Sequence, residues 1–390
     1  MKNAFLLLLV AVMLPMTPTS AQTPETVYSF ALVRKPTPWY KQQIEAWKKV
    51  IDSNPGNGLA WYNYYYANRN YVRTDTACTI SYEDQQQLLN SIGDSMAKHL
   101  PDAYEYHLIM WMNHSFDLSY KHHLEKVLEL GEGRIEHIDY IINAGEIDRD
   151  LDKRNDGILR KEAAGLLSPG MMYTNRNVLA GLKPRAILIT AGDNDTYPAF
   201  AVQAHDFRSD VLVINSSLIL ITEYRQKICK ELGIPEIKIN WEAKKESDPE
   251  HRVYFNKHLV ERLANNPQKR PVYVAASAMH QDEIVQPVAN QLYLTGLAYL
   301  YSSEVVDELA ALKDNFEHHF TLDYILYPYY QDISESLVPV MNQNYIVPML
   351  KLYHHYSASG DLNRKAWIRK YLLKITEGTS SEAEVRNQLN

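Results

Sequence analysis

Two carboxylates and an amide occupy three consecutive positions in the run Gly192-Asp193-Asn194-Asp195-Thr196-Tyr197-Pro198. Crowded acids bring repulsion and desolvation that an ordinary turn need not carry, so this run is the most specific chemical signal in the chain. On the residues alone three uses stay open. Asp193 and Asp195 can hold a hard divalent cation through oxygen ligands, in the service of sugar or phosphoryl chemistry. They can instead accept hydrogen bonds from a sugar or peptide ligand. Or one of them can cap the helix that follows, with Thr196 assisting, which makes the acids architecture.

Two further segments qualify by position. Asn215-Ser216-Ser217 and Ser277-Ala278-Met279-His280-Gln281-Asp282 each follow an apolar run. His280 is the acid/base candidate of an enzyme reading, with Asp193 and Asp195 as its catalytic or cation-holding partners. The expected ligand-binding set is Asp193, Asn194, Asp195, Thr196, Tyr197, Asn215, Ser216 and Ser277. No Gly-x-Ser-x-Gly elbow surrounds the serines, and no Gly-x-Gly-x-x-Gly or P-loop is there to cradle phosphate. The aspartate loop of haloacid dehalogenases does not fit either, because Thr196 falls one place early. His122-His123, His318-His319 and His354-His355 are adjacent pairs. Neighbours on a helix point about 100° apart, so such a pair reads as packing or surface.

The elements that must position these residues follow from periodicity. Ala186 to Ala191, Val211 to Asn215 and Pro271 to Ala276 are short continuous apolar runs, the pattern of strands buried on both faces. Helices are expected between them at Pro198 to Phe207, Leu220 to Leu232 and Val253 to Asn265. That alternation predicts a parallel sheet whose ligand crevice lies beyond the carboxyl ends of the strands. Upstream the spacing is helical. Trp39, Ile44, Trp47 and Ile51 share one stripe, Asn54-Pro55-Gly56 ends it, and Leu59 to Tyr65 opens a second helix, as in a tetratricopeptide-like hairpin. Helices are also expected at Tyr82 to His99, Ala103 to Leu118, Leu124 to Leu130 and Glu146 to Glu162. Gln343 to Tyr356 and Arg364 to Thr376 close the chain as a further hairpin.

The fold class expected is therefore α/β plus all-α, a small parallel Rossmann-like sheet domain flanked by tetratricopeptide-like helical hairpins. The divisions expected are 1–21 signal peptide, 22–168 helical region, 169–335 α/β domain and 336–390 C-terminal hairpin. Lys2, the apolar core Ala4 to Leu14 and the small-residue site Thr19-Ser20-Ala21 are the parts of a secretory leader, which sends the chain to the periplasm or the exterior. Past that leader no apolar run is long enough to span a bilayer. With 390 residues, 46% of them apolar and 22% charged, the chain is long enough for more than one core. Forty basic against 47 acidic residues leave a net charge of -7 and no footprint for nucleic acid. Cys78 and Cys229 are expected as two buried thiols, with a disulfide between them as the alternative.

The run from Pro184 to Pro198 resembles a segment of the soluble C-terminal region of a family of bacterial multi-spanning membrane proteins described as protein O-mannosyltransferase-like. Phe207 to Leu218, Asn266 to Ala275 and Thr295 to Tyr299 continue the likeness in register. Thr295 stands where that family usually has Glu. In the family, sugar transfer is expected in the membrane-embedded half, which signal peptide and helical hairpins replace here. The resemblance thus implies a free extracytoplasmic version of the accessory domain. The function expected is a binding or scaffolding protein of the cell envelope, with an envelope protein, peptide or glycan as partner and no cofactor. The alternative is a divalent-cation-dependent envelope enzyme acting on glycan or phosphoryl substrates through Asp193 and Asp195.

Overall fold

The computed structural model describes residues 23–74, 80–114, 118–245, 248–255, 258–327 and 331–390. The expected signal peptide, residues 1–21, and Cys78 lie outside the described residues, while Cys229 is a buried thiol. The chain divides into two compact units, one running up to Tyr28 and over Pro36–Lys126, the other made of Ser29–Lys35 and Val127–Asn390. No helix among the described residues is long and apolar enough to cross a membrane.

The first unit is helical: α1 (Thr37–Ser53), α2 (Gly58–Thr74), α3 (Tyr82–Ala97), α4 (Tyr104–Asn113) and the start of α5 (Lys121–Leu130). Tyr40, Gln43, Trp47 and Ile51 form the buried stripe of α1, at the three- and four-residue spacing of one helix face. The Asn57 side chain accepts from the Ala60 N–H at 3.1 Å, which starts α2 directly after the turn and sets the two helices as a hairpin.

The second unit opens with α6 (Ile138–Asp148), α7 (Leu151–Ala163) and α8 (Pro169–Ala180). A single helix over Glu146 to Glu162 is corrected to two. Arg149 takes a left-handed φ of 58° and Asp150 caps the next helix by accepting from Lys153 N–H at 3.1 Å. Gly145 allows the crossing, because a Cβ there would lie 2.5 Å from the Arg154 nitrogen. Ile138, Ile142 and Ile158 belong to the same apolar core as the sheet, so α6 and α7 are part of the sheet's own packing.

The five-stranded sheet, with its connections, runs as β1 (Ile187–Thr190), α9 (Asp193–Ala204), β2 (Leu212–Asn215), α10 (Thr222–Leu232), β3 (Asn240–Lys245), β4 (Asp248–Phe255), α11 (Leu259–Ala264), β5 (Val272–Ala275), α12 (Asp282–Val285), β6 (Leu292–Leu294) and β7 (Ala298–Tyr301), with β3 and β4 as a separate two-stranded sheet. The order of the five strands is β2-β1-β5-β7-β6. β1 pairs in parallel with β2 (Ile187 opposite Leu212) and with β5 (Ile187 opposite Val272), and all residues of the three strands are buried. The parallel expectation holds for this centre. It is corrected at the edge, where β7 runs antiparallel to β5 and β6 antiparallel to β7. The expected helix from Val253 to Asn265 is corrected as well. Val253-Tyr254-Phe255, rich in strand-favouring side chains, end β4, which pairs antiparallel with β3, and only Leu259–Ala264 is helical.

The chain closes with α13 (Glu308–Asp314), α14 (Asp323–Leu326), α15 (Val338–Asn342), α16 (Ile346–Ser359), α17 (Leu362–Thr376) and α18 (Glu382–Gln388). Helices α16 and α17 form the expected hairpin across Gly360, whose left-handed φ of 74° makes the turn.

Candidate functional site

From β1 the chain goes to β2 on one side, then returns past β1 to β5 on the other. The carboxyl ends of β1 and β5 are therefore the place where connections diverge, the usual crevice of an open α/β sheet. The acidic run sits there. Helix α9 starts at Asp193, five residues earlier than the spacing suggested, and takes Pro198 into its body. Pro198 has no N–H to give the Asn194 carbonyl, which instead accepts from Asn175 Nδ2 at 3.2 Å.

Asp195 is the third residue of that helix and its carboxylate folds back on the loop. Oδ2 accepts from the Ala191 N–H at 2.7 Å and from Ser277 Oγ at 2.5 Å, and Oδ1 accepts from the Gly192 N–H at 2.8 Å. A carboxylate in the first turn also sits well in the field of the helix N-terminus. The group is only 4% exposed. Burial pushes its carboxyl above the usual range, against the pull of Ser277 and the two N–H groups.

The neighbouring candidates join the same network. Thr196 Oγ1 lies 2.7 Å from Thr190 Oγ1 and accepts from Asn215 Nδ2 at 2.9 Å. Asn215 Oδ1 then accepts from the Ser217 and Leu218 N–H groups, tying the turn after β2. Ser216 Oγ donates to the Ala191 carbonyl at 3.0 Å and accepts from Gln281 Nε2 at 2.7 Å. The loose end of the network is Gln281 Oε1, buried without a hydrogen-bond partner. The fold thus brings Asp195, Thr196, Asn215, Ser216 and Ser277 together, fastening three strand ends to one another.

The other candidates point elsewhere. Asp193 and His280 are exposed and Asn194 is half-buried. Tyr197 is buried towards α6 and α7, donating to Asn143 Oδ1 at 3.1 Å with Lys161 Nζ 4.6 Å above its ring. Burial drives its phenol well above the ordinary value. Among the described residues no group of three or more His, Cys, Asp or Glu side chains is disposed to hold a metal ion.

The first unit holds two features that sequence reasoning missed. One is a furrow of about 330 Å³ between α1, α2 and α3, with Trp61, Tyr64 and His99 in its wall. The Trp61 and His99 rings stack at 6.4 Å and 24°.

The other is a histidine pair. His107 of α4 and His123 of α5 are buried with their Nδ1 atoms 2.8 Å apart. One nitrogen must donate and the other accept, so the pair holds one proton between the facing atoms. Burial, and after it the proximity of His122, His107 and His114, pushes His123 down from 6.5 to about 4. A base held low when folded is protonated in the unfolded chain first, so stability rises with pH between these two values. We expect the first unit, followed by the fluorescence of Trp39, Trp47, Trp61 and Trp111, to lose stability as pH falls through that window. His123→Phe should flatten the slope, and parallel pH profiles for the two proteins would refute the assignment.

Residues 172–245 match the family described as TMEM260-associated domain 2, a membrane-protein-associated family. The match runs from α8 to β3 and includes the acidic corner, but stops short of Ser277 and His280. No curated protein and no solved structure matches the chain.

Proposed function

We propose that this chain is an extracytoplasmic binding or scaffolding module of the cell envelope that engages a peptide, protein or glycan through its helical first unit. The observation that carries the reading is the furrow between α1, α2 and α3. Its wall combines flat rings, Trp61, Tyr64 and His99, with the Lys48 and Asp52 ion pair and the Ser91 and Ser95 hydroxyls. Aromatic faces with polar edges suit both sugar rings and extended peptide, since each presents apolar surface flanked by hydrogen-bonding groups.

The acidic corner supports the same reading by what it is already doing. Both Asp195 oxygens accept hydrogen bonds from within the fold, so the corner serves as a fastener between strand ends. The leader-like residues 1–21 favour an extracytoplasmic place. The likeness of 184–198 to O-mannosyltransferase-like membrane proteins favours glycan or glycosylated protein as the ligand class.

Glycan arrays and pull-downs from envelope extract, run with the parent chain and with a Tyr64→Ala, His99→Ala double variant, test the proposal. Tyr64 is half-buried and His99 exposed, so the double variant leaves the buried Trp61 in place. Specific ligands are expected for the parent and at least a tenfold loss for the variant; equal binding by both would sink the furrow as the site. In parallel, Mg²⁺, Mn²⁺ and Ca²⁺ are expected to leave the melting temperature unchanged. A rise that Asp193→Ala abolishes would transfer the corner to the cation-dependent enzyme reading.

A further inference from the structure

A second concavity lies in the other unit, where α7, α8 and the end of α9 meet the segment around Ile333. It encloses about 460 Å³, within the size range of small-molecule sites. His205 on its rim lies ten residues beyond Asp195 along α9, about 15 Å of helix, so the cavity is distinct from the acidic corner.

Its walls are mostly apolar, from Leu167, Pro169, Met172, Val202 and Ile333. Its polar groups are arranged unevenly. Glu162 and His205 are engaged with each other, Oε2 to Nε2 at 2.8 Å. Arg176, also in the lining, has no acidic partner among the described residues. Its guanidinium lies 3.8 Å over the Phe207 ring, and Phe207 is itself packed against the core.

Arg176 is exposed, and stacking on the Phe207 ring leaves its N–H edge open. Stacking on an aromatic face pre-orients the planar fork that binds carboxylate or phosphate bidentately, so little further ordering is needed when an anion arrives. An apolar hollow beside a ring-stacked guanidinium that no carboxylate among the described residues contacts is complementary to one chemical class. We propose that this cavity binds an anionic amphiphile, a molecule with an apolar body in the hollow and a carboxylate or phosphate head on Arg176. The proposal is independent of the ligand assigned to the first unit.

Calorimetric titration of the full chain with decanoate, decyl phosphate and decanol tests it. The two anions share an apolar body with the alcohol, and comparing them tells a free carboxylate from a phosphate head. Saturable binding of at least one anion, with decanol at least tenfold weaker, is expected. Arg176→Met keeps the apolar stem and removes the charge, and should weaken the anion by about tenfold to a hundredfold without altering decanol. Glu162→Gln removes the neighbouring negative charge and should tighten the anion, a gain that a damaged fold would not produce. The proposal is overturned if neither anion binds, if decanol binds as well as the anions, or if Arg176→Met binds them like the parent.

Discussion

Glu146→Gln is expected to remove about 3–5 kcal/mol from the stability of the second unit. Glu146 is fully buried and its carboxylate is the hub of three partners. Oε2 binds Arg154 Nη1 at 2.9 Å, while Oε1 accepts from the Tyr224 hydroxyl at 2.7 Å and from Arg149 Nη1. Arg154 is itself buried and its guanidinium lies 4.3 Å over the Phe200 ring, so it cannot turn out to water.

An amide of the same shape keeps the packing but leaves that guanidinium in the interior without an anion. The expense is the stranded charge, which is why breaking a buried pair destabilises far more than the pair ever contributed. Arg149 is better placed, because it also reaches Glu231 at 2.9 Å on the surface. Urea unfolding, compared with Glu231→Gln as a surface control expected to lose less than about 1 kcal/mol, measures the difference. Adding Arg154→Met to Glu146→Gln should recover part of the loss, because it takes away the stranded cation. A loss below about 1 kcal/mol for Glu146→Gln would show that the hub is hydrated or dispensable.

The strands that could be read from sequence are those whose burial is complete. Ile187–Thr190, Leu212–Asn215 and Val272–Ala275 are buried at every position, so their side chains are apolar almost without interruption and the strands announce themselves. Leu292–Leu294 and Ala298–Tyr301 are only partly buried and carry tyrosines towards the edge, and runs of three and four residues are too short to set a period. The segment after Val253 misled for a related reason. Leu259, Val260 and Leu263 do form a buried helical face, and extending that rhythm backwards swallowed the end of a strand.

At the corner, place was legible and role was not. A strand end followed by acids marks the crevice, but the direction of the Asp195 carboxylate depends on Ser277, 82 residues further along. The histidines show the same limit. Adjacency within one helix predicted that His122 and His123 diverge, but their rings lie 4.1 Å apart, and adjacency says nothing of His107, 16 residues earlier, which meets His123 from another helix. Arg176 gave no signal at all, since what distinguishes it is the acid it does not meet and the Phe207 ring beneath it.

The corner yields the second large effect, and a graded series separates fastening from ligand binding. Asp195→Ala would leave the Ala191 and Gly192 N–H groups and the Ser277 hydroxyl without their acceptor at a nearly closed site. Hydrogen bonds to a charged group are worth about 1.5–3 kcal/mol each, and buried donors left unmade carry their own desolvation penalty, so a loss of about 3–5 kcal/mol is expected. Asp195→Asn keeps one acceptor oxygen but turns an amide N–H₂ towards a donor, and should lose about 2–3 kcal/mol. Ser277→Ala removes one donor and leaves the carboxylate its two backbone partners, so about 1–2 kcal/mol is expected. Denaturant unfolding of the three variants should give that order. A carboxylate kept for a ligand would behave in the opposite way, because removing an acid from a site that desolvates it relieves strain when no ligand is present. Asp195→Asn variants as stable as the parent, or more so, would therefore return Asp195 to a ligand-binding role, whereas the graded losses identify it as the clasp that joins the ends of β1 and β5.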